Sequence, residues 1–309
     1  MSEKKKPKVS KGNTTIGGVV VALVLGLLYF VNGGETTTED DVIENIEEGI
    51  VYNGLTNYLP TSTTDQLIKY PYYTISYSEK HKQAEWVAYK LTRDMVLKAG
   101  SASRAHMPFK PDSNLDKSKA VKTSDYTRSG YDRGHLVPAQ DMSFDETAMK
   151  ETFFMSNVSP QDKDFNRGKW KELENETRNW ASKYDEIYVI AGPVLTKRAI
   201  KRFPKDKKYI PVPHSYYKII LDFTGNENEV KAIAFWLRNQ ETEIPLSGFV
   251  TTIDEIEKLT GIDFFPGLPD DIEDELESRA RIDDWNMTQD AYSVSFDPSQ
   301  IKEFLEEEN

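Results

Sequence analysis

The chain has 309 residues, of which 38% are hydrophobic and 29% charged, an ordinary composition for a globular protein with a sizeable core. It contains no cysteine, which excludes disulfide bonds, thiolate metal ligands and a cysteine nucleophile. The formal net charge is -12, but the charges are unevenly distributed, and their distribution matters more than their sum for binding a polyanion.

The N-terminal segment has a lysine-rich start followed by an uncharged apolar run from Ile16 to Val31. A helix of this length spans about 24 Å, which is short for a bilayer core of about 30 Å but long for a signal-peptide core. We interpret residues 15–32 as a transmembrane signal anchor that leaves 1–14 in the cytoplasm and the rest extracytoplasmic, periplasmic or at the cell surface. Secretion after signal cleavage is the alternative. Residues 33–63 are polar and are predicted to form a linker.

The following region predicts a mixed α+β domain over 64–278. Runs of aromatic and β-branched residues predict strands at 72–77, 85–91, 187–193, 216–221 and 230–237. Apolar residues at helical spacing predict one helix over about 166–183, and Thr252 begins a second that ends at Gly261. Helices that flank a central antiparallel sheet are the expected architecture.

Two further segments differ from the rest in charge. Residues 279–309 form an acidic C-terminal tail. A basic run is predicted to contact nucleic-acid phosphates, through Lys197, Arg198, Lys201 and Arg202. A solvated loop without a binding role is the alternative interpretation of this run.

Two short motifs carry the candidate chemistry. The first is Asp132-Arg133-Gly134-His135, and the second runs from Asn166 to Glu174. Hydrolysis of a phosphodiester needs a base, which an imidazole with a pKa of about 6.5 can supply. It also needs charge neutralisation, which an arginine and an oxygen-bound divalent ion can provide. His135, Arg133 and Asn166 are the candidates for these three tasks, and Glu174 lies on roughly the same side of the predicted helix as Asn166.

Each candidate also has a purely structural interpretation. Asn166 could cap the helix that it begins, and Glu174 could form a surface pair with Arg178. Trp170 and Trp180 are expected to lie in the core rather than to stack on bases. The combination of residues, more than any one of them, favours phosphodiester hydrolysis.

Taken together, the motifs resemble the DNA/RNA non-specific endonuclease family over about 64–278. The resemblance is carried by the first motif, by Asn166-x3-Trp170-x2-Leu173-Glu174 and by Ala191-Gly192-Pro193-Val194. It implies a ββα-metal (His-Me finger) fold. It also implies magnesium-dependent, sequence-non-specific hydrolysis of DNA and RNA that leaves 5′-phosphate products.

The resemblance also implies roles for individual residues. His135 would be the general base and Asn166 the direct ligand of Mg²⁺, with Glu174 bound to the ion through water. Manganese may substitute for magnesium in this expectation, and no small-molecule cofactor is implied. Asn157 would steady the site. Arg133, Arg104 and Arg178 are further catalytic candidates, and Arg133 would bind phosphate. Arg167 is a candidate for binding substrate.

Other functions remain compatible with the sequence. One is a membrane-tethered nucleic-acid-binding protein without catalysis, and another is a phosphodiesterase of small substrates on the same fold. The family assigns no role to the acidic tail, and a homodimer is left open.

Overall fold

The computed structural model describes residues 58–64, 66–195, 199–204, 209–223 and 230–287. All of these belong to one compact unit, Tyr52–Asn309. The predicted anchor, most of the predicted linker, and residues Lys197 and Arg198 lie outside the described residues. Within the described ranges, no helix is both long and apolar enough to cross a membrane.

A seven-stranded sheet forms the centre of the domain, and each strand is antiparallel to its neighbours. In spatial order the strands are β1 (Leu67–Lys69), β2 (Tyr73–Ser78), β3 (Gln83–Thr92), β6 (Glu186–Pro193), β9 (Ser215–Asp222), β10 (Lys231–Arg238) and β11 (Val250–Thr251). The five predicted strands are confirmed. Two small ribbons complete the strands, β4 (Asp132–His135) with β5 (Val158–Gln161) and β7 (Arg202–Phe203) with β8 (Ile210–Pro211).

Six α-helices are present among the described residues. They are α1 (Arg93–Leu97), α2 (Glu146–Glu151), α3 (Lys163–Arg167), α4 (Lys169–Tyr184), α5 (Ile253–Thr260) and α6 (Asp270–Glu277). The predicted limits of α5 are confirmed: the Thr252 hydroxyl accepts a hydrogen bond from Glu255 N at 3.2 Å, and Gly261 ends the helix in the left-handed conformation.

The single helix predicted over 166–183 is wrong, because Gly168 divides it into α3 and α4. Gly168 has φ -102° and ψ -103°, outside the helical region. A Cβ atom there would lie 2.5 Å from the carbonyl oxygen of Asp164, so the break requires glycine. The apolar spacing that predicted the helix, from Trp170 to Trp180, lies wholly within α4, which is why it did not reveal the break.

Both faces of the sheet are covered. On one face, α4 buries Trp170, Leu173 and Trp180 against the aromatic and aliphatic side chains of the central strands. On the other face, α5 and α6 form a second core around Ile256 and Leu276. Both tryptophans are fully buried, which confirms the core assignment.

The folded domain is longer than the range 64–278 at both ends. Tyr58 packs against the rings of Tyr188 and Phe223, so the last residues of the predicted linker cover the sheet. At the other end, Trp285 is 1% exposed, and its carbonyl accepts a hydrogen bond from Trp180 Nε1 at 3.1 Å. The first residues assigned to the acidic tail are therefore part of the core.

Candidate active site

The β4–β5 ribbon and α3 bring the two motifs together. In the β4–β5 ribbon, His135 lies opposite Val158 and Gly134 lies opposite Ser159. A Cβ atom on Gly134 would lie 2.1 Å from Oε1 of the Gln161 side chain, so that side chain occupies the space beside the glycine. α3 follows β5 directly and carries Asn166.

The result is a cleft of about 830 Å³. Seven of the predicted site residues line it: Arg104, Arg133, His135, Asn166, Arg167, Glu174 and Arg178. Lys171 and Asn175 of α4 also line it, although the sequence did not single them out. Residues from separate parts of the chain thus form one polar site.

His135 is held between two aromatic rings. Its ring centroid lies 5.1 Å from that of Phe109 and 5.1 Å from that of Phe153. Burial, reinforced by the positive charge of Arg104, lowers the pKa of His135 to about 3. The ring is therefore neutral at pH 7. The expectation of an ordinary pKa near 6.5 is wrong, because the sequence does not show which side chains pack around His135.

We expect ring NMR shifts to show His135 neutral from pH 8 down to about 4.5, whereas in concentrated urea the histidines should titrate near their ordinary pKa of about 6.5. The pKa of His135 is lower in the folded protein than in the unfolded chain. Between pH 3 and 6.5, the unfolded chain therefore binds more protons at this residue than the folded protein does. His135 therefore lowers the free energy of unfolding progressively as the pH falls from about 6.5 towards 3. A folded-state midpoint above 6 would contradict the packing of the ring between Phe109 and Phe153.

Asn166 is oriented by Asp132. Asn166 Nδ2 donates to Asp132 Oδ2 at 3.1 Å, and the same carboxylate accepts two hydrogen bonds from Arg167, at 2.8 and 3.0 Å. Asn166 is in the last turn of α3, whose N-cap is Asp162, so the interpretation of Asn166 as an N-cap is wrong. With its amide nitrogen fixed in this way, Asn166 Oδ1 is left available as a ligand oxygen.

Glu174 belongs to a group of four buried or half-buried charges. Arg178 forms its ion pair with the buried Asp141 at 2.5 Å, and Glu174 also attracts it, so the two residues do not form an isolated surface pair. Burial raises the pKa of Glu174 to about 7, although the positive charge of Lys218 acts in the opposite direction. Glu174 therefore binds a proton more readily than an exposed glutamate does.

Sequence reasoning missed Lys218, which lies within the apolar run of β9. Its side chain is fully buried, and Nζ lies 4.9 Å from the centre of the Trp170 ring. Nζ has no hydrogen-bond partner among the described residues. A lone lysine in a central strand was the available signal, since burying a charge is costly unless nearby opposite charges compensate for it.

Asn157 does not line the cleft. Its side chain is fully buried, and its amide donates to the carbonyl oxygens of Val137 and Thr152 at 3.0 and 2.9 Å. Its Oδ1 accepts a hydrogen bond from Val137 N at 2.9 Å. Asn157 therefore holds the backbone two residues beyond His135, and its steadying of the catalytic site stays a prediction.

The predicted arginines differ in how they are held. The Arg133 guanidinium lies 5.5 Å from the centre of the Phe109 ring and donates to the Thr123 carbonyl oxygen at 3.2 Å. Its Nε is buried and has no hydrogen-bond partner in the part of the chain that the structure describes. Arg104 stands 5.5 Å over the Phe153 ring. Both guanidinium groups thus lie beside the two rings that hold His135.

The described part of the basic run does not line the cleft. Lys201 Nζ donates to the Ser129 carbonyl oxygen at 3.0 Å and lies 5.9 Å from the Tyr131 ring centre. Arg202 is exposed on β7. A role of these two residues in binding substrate stays a prediction.

The donor atoms of the cleft fit a hard divalent ion. Asn166 offers an amide oxygen and Glu174 a carboxylate, and the chain has no thiolate. Asp132 accepts the hydrogen bond that orients the Asn166 amide, which is how metal ligands are commonly fixed by their neighbours.

The model of the DNA/RNA non-specific endonuclease family matches residues 53–271, which include the whole cleft. The chain belongs to this family, whose members are metal-dependent hydrolases that act on nucleic acids. Among its relatives, Nuclease C1 of Cunninghamella echinulata var. echinulata is 34% identical over 209 residues, which are 63% of this chain and 81% of that protein. Mouse mitochondrial Nuclease EXOG is 31% identical over 211 residues, but these cover 57% of its length and 65% of this chain.

A solved structure is similar as well. A chain in the crystal structure of the EndoG/EndoGI complex, which concerns the inhibition of EndoG, matches with a TM-score of 0.64 and 26% identity. The match covers 72% of this chain and 92% of that chain. The predicted α+β, ββα-metal fold is confirmed.

Proposed function

We propose that this protein is a magnesium-dependent endonuclease that hydrolyses phosphodiester bonds of DNA and RNA without sequence preference. One observation carries the proposal: the neutral ring of His135 lines the same cleft as Asn166, whose amide is clamped by Asp132. A proton acceptor and a fixed oxygen ligand are the two groups that metal-assisted hydrolysis requires.

His135 is the general base in this proposal. A neutral imidazole can take a proton from the attacking water, but a pKa of about 3 makes it a weak base in the empty cleft. Arg104 is one of the two causes of that low pKa. A phosphate bound beside Arg104 offsets the guanidinium charge, so substrate binding itself strengthens the base.

Arg133 contacts the phosphate in this scheme, since its Nε is buried and has no partner in the described ranges. Asn166 and Glu174 would hold the magnesium ion, which when bound supplies Lewis-acid charge at the phosphoryl oxygens and at the leaving oxygen. Lys218 and Arg178 keep net negative charge from accumulating around Glu174 and Asp141.

Cleavage of supercoiled plasmid and of a structured RNA, each with and without magnesium, tests the proposal. EDTA should abolish cleavage of both, and magnesium or manganese should restore it. Products should carry 5′-phosphates. Cleavage in EDTA would refute the metal requirement, and binding of both substrates without cleavage would show a non-catalytic protein. Preference for a small chromogenic diester would show a different substrate class.

Lys171 provides a separate prediction about substrate capture. It is exposed on α4 and lines the cleft. Lys171→Glu should raise KM for long duplex DNA and reduce the slope of log KM against log salt by about one, because each phosphate contact releases counterions. Because the charge of Lys171 also lowers the pKa of Glu174, kcat should change as well, so the salt slope is the measure of phosphate contact.

Reversing the charge of a lysine in the basic run tests whether this run binds substrate, and the test needs a matched control. Lys201→Glu should raise KM in the same way if the basic run extends the substrate track, as predicted. Lys98→Glu is the control, because Lys98 pairs with Asp94 outside the cleft. If Lys201→Glu behaves like the Lys98 variant, the described part of the basic run is ordinary solvated surface.

We further propose that residues 15–32 anchor the enzyme in a membrane with the nuclease domain on the extracytoplasmic side. The support is the lysine-rich start and the apolar run. Fractionation and N-terminal sequencing of the mature protein distinguish a retained anchor from a cleaved signal. Protein found only in the cytosol would refute export. Light scattering of the soluble domain tests the homodimer that the sequence left open.

A further inference from the structure

A second group of acidic side chains lies across the sheet from the cleft. Asp254 and Glu257 are on α5, and Glu277 is the last residue of α6. One carboxylate oxygen of each residue lies within 4.8 Å of those of the other two. The helices belong to the core opposite α4, so this cluster is separate from the catalytic site.

Glu277 distinguishes this cluster from ordinary surface acids. Its side chain is 6% exposed. Its Oε1 is buried and has no hydrogen-bond partner among the residues that the structure describes. A buried carboxylate oxygen without a partner is unfavourable, since it has lost water without gaining a donor. A ligand that supplies positive charge would remove this cost.

Few positive charges surround the cluster. Burial is the main cause that raises the pKa of Glu277 to about 9, and the neighbouring carboxylates, Glu257, Glu273, Asp254 and Asp263, add to it. Lys258 is the cation that acts on Glu257, but its ammonium binds Glu255 at 2.7 Å. A bound cation would take the place of the proton that Glu277 otherwise holds.

We propose that Asp254, Glu257 and Glu277 form a structural calcium site that fastens α6 to α5. Carboxylate oxygens are the ligands preferred by hard divalent cations. Two oxygens on one ion can be no further apart than twice the metal–oxygen distance, which is about 4.6–5.2 Å for calcium and about 4.0–4.2 Å for magnesium. The three oxygens all lie within 4.8 Å of one another, which is inside the span that calcium allows. Calcium also accepts carboxylates in flexible geometry, whereas magnesium demands a near-ideal octahedron.

One of the cluster's groups is already fixed by the backbone. Glu257 Oε1 accepts a hydrogen bond from Phe264 N at 2.8 Å, which orients this carboxylate beside the loop after α5. Asp254 lies one turn before Glu257 on the same helix. Two ligands are thus presented by α5, and only Glu277 must be brought in by α6.

The test uses the full-length protein carrying Asn166→Ala, so that the catalytic site does not contribute to binding. Isothermal titration with calcium chloride should give one calcium per chain, with magnesium at least about ten-fold weaker given its smaller, stricter coordination. Saturating calcium should raise the Tm by about 5 °C or more, as ligand linkage predicts for a domain of this size.

Variants of the cluster make the assignment specific. Adding Glu277→Gln or Asp254→Asn should abolish both calcium binding and the calcium-dependent rise in Tm. Asp271→Asn is the matched control, because Asp271 is an exposed carboxylate on the same helix and lies outside the cluster. Each variant is compared with and without calcium, so a change in intrinsic stability does not imitate the effect.

Three results would overturn the proposal. They are no calcium binding in the Asn166→Ala protein, unchanged binding after Glu277→Gln and Asp254→Asn, and tighter binding of magnesium than of calcium. Asp254 is only half-buried, so its variant remains informative if Glu277→Gln does not fold.

Discussion

Replacing His135 with glutamine is expected to lower kcat by about 100-fold or more, the usual contribution of a positioned general base. Glutamine keeps most of the volume between the Phe109 and Phe153 rings, so the change removes the proton acceptor without opening the cavity that alanine would leave. The protein should retain its Tm within a few degrees and should still bind DNA. Steady-state cleavage of plasmid at saturating magnesium measures the effect.

His81 offers a matched control for this variant. Burial lowers the pKa of His81 as well, to about 4, and Nδ1 lies 2.9 Å from the Ser78 hydroxyl. It does not line the catalytic cleft. His81→Gln should therefore leave kcat unchanged, even if the protein becomes less stable. Near wild-type turnover of His135→Gln would remove the assignment of His135 as base.

Replacing Asn166 with alanine should lower kcat by about 1000-fold even in excess magnesium, because a bound ion contributes several kcal/mol of charge stabilisation. Alanine removes both the ligand oxygen and the hydrogen bond to Asp132. Asn179→Ala is the control, because Asn179 is exposed on α4 and its side chain donates a hydrogen bond to Glu176, outside the cleft. Unaltered activity of Asn166→Ala would show that the metal binds elsewhere.

A pair of changes separates the metal ligand from its positioning residue. Asn166→Asp keeps a ligand oxygen but places a second carboxylate against Asp132, so it should retain only part of the activity. Adding Asp132→Asn places an amide at position 132 opposite the carboxylate at position 166, which exchanges the two groups of the original pair. The double variant should therefore be more active than Asn166→Asp alone and should need less magnesium for half-maximal rate. No improvement in the double variant would show that the Asp132 hydrogen bond does not position the ligand.

Several features followed from local sequence alone. The five long strands were predictable because buried strands leave aromatic and β-branched runs, and α5 was predictable because Thr252 and Gly261 mark its ends. The two motifs predicted His135 and Asn166 as site residues, and both line the cleft. All of these signals lie within a few residues of the feature that they predict.

Other features depend on contacts between distant parts of the chain, and only the tertiary structure decided them. Asp132 orients Asn166 across 34 positions, and Lys218 of β9 compensates the charge of Glu174 on α4. The low pKa of His135 arises from burial between rings that the sequence does not place beside it. Local periodicity reports which face of an element is apolar, but burial, charge pairing and pKa depend on what packs against that face. For this reason the sequence by itself determined the family and the residue types of the site, whereas the fold determined their charges and orientations.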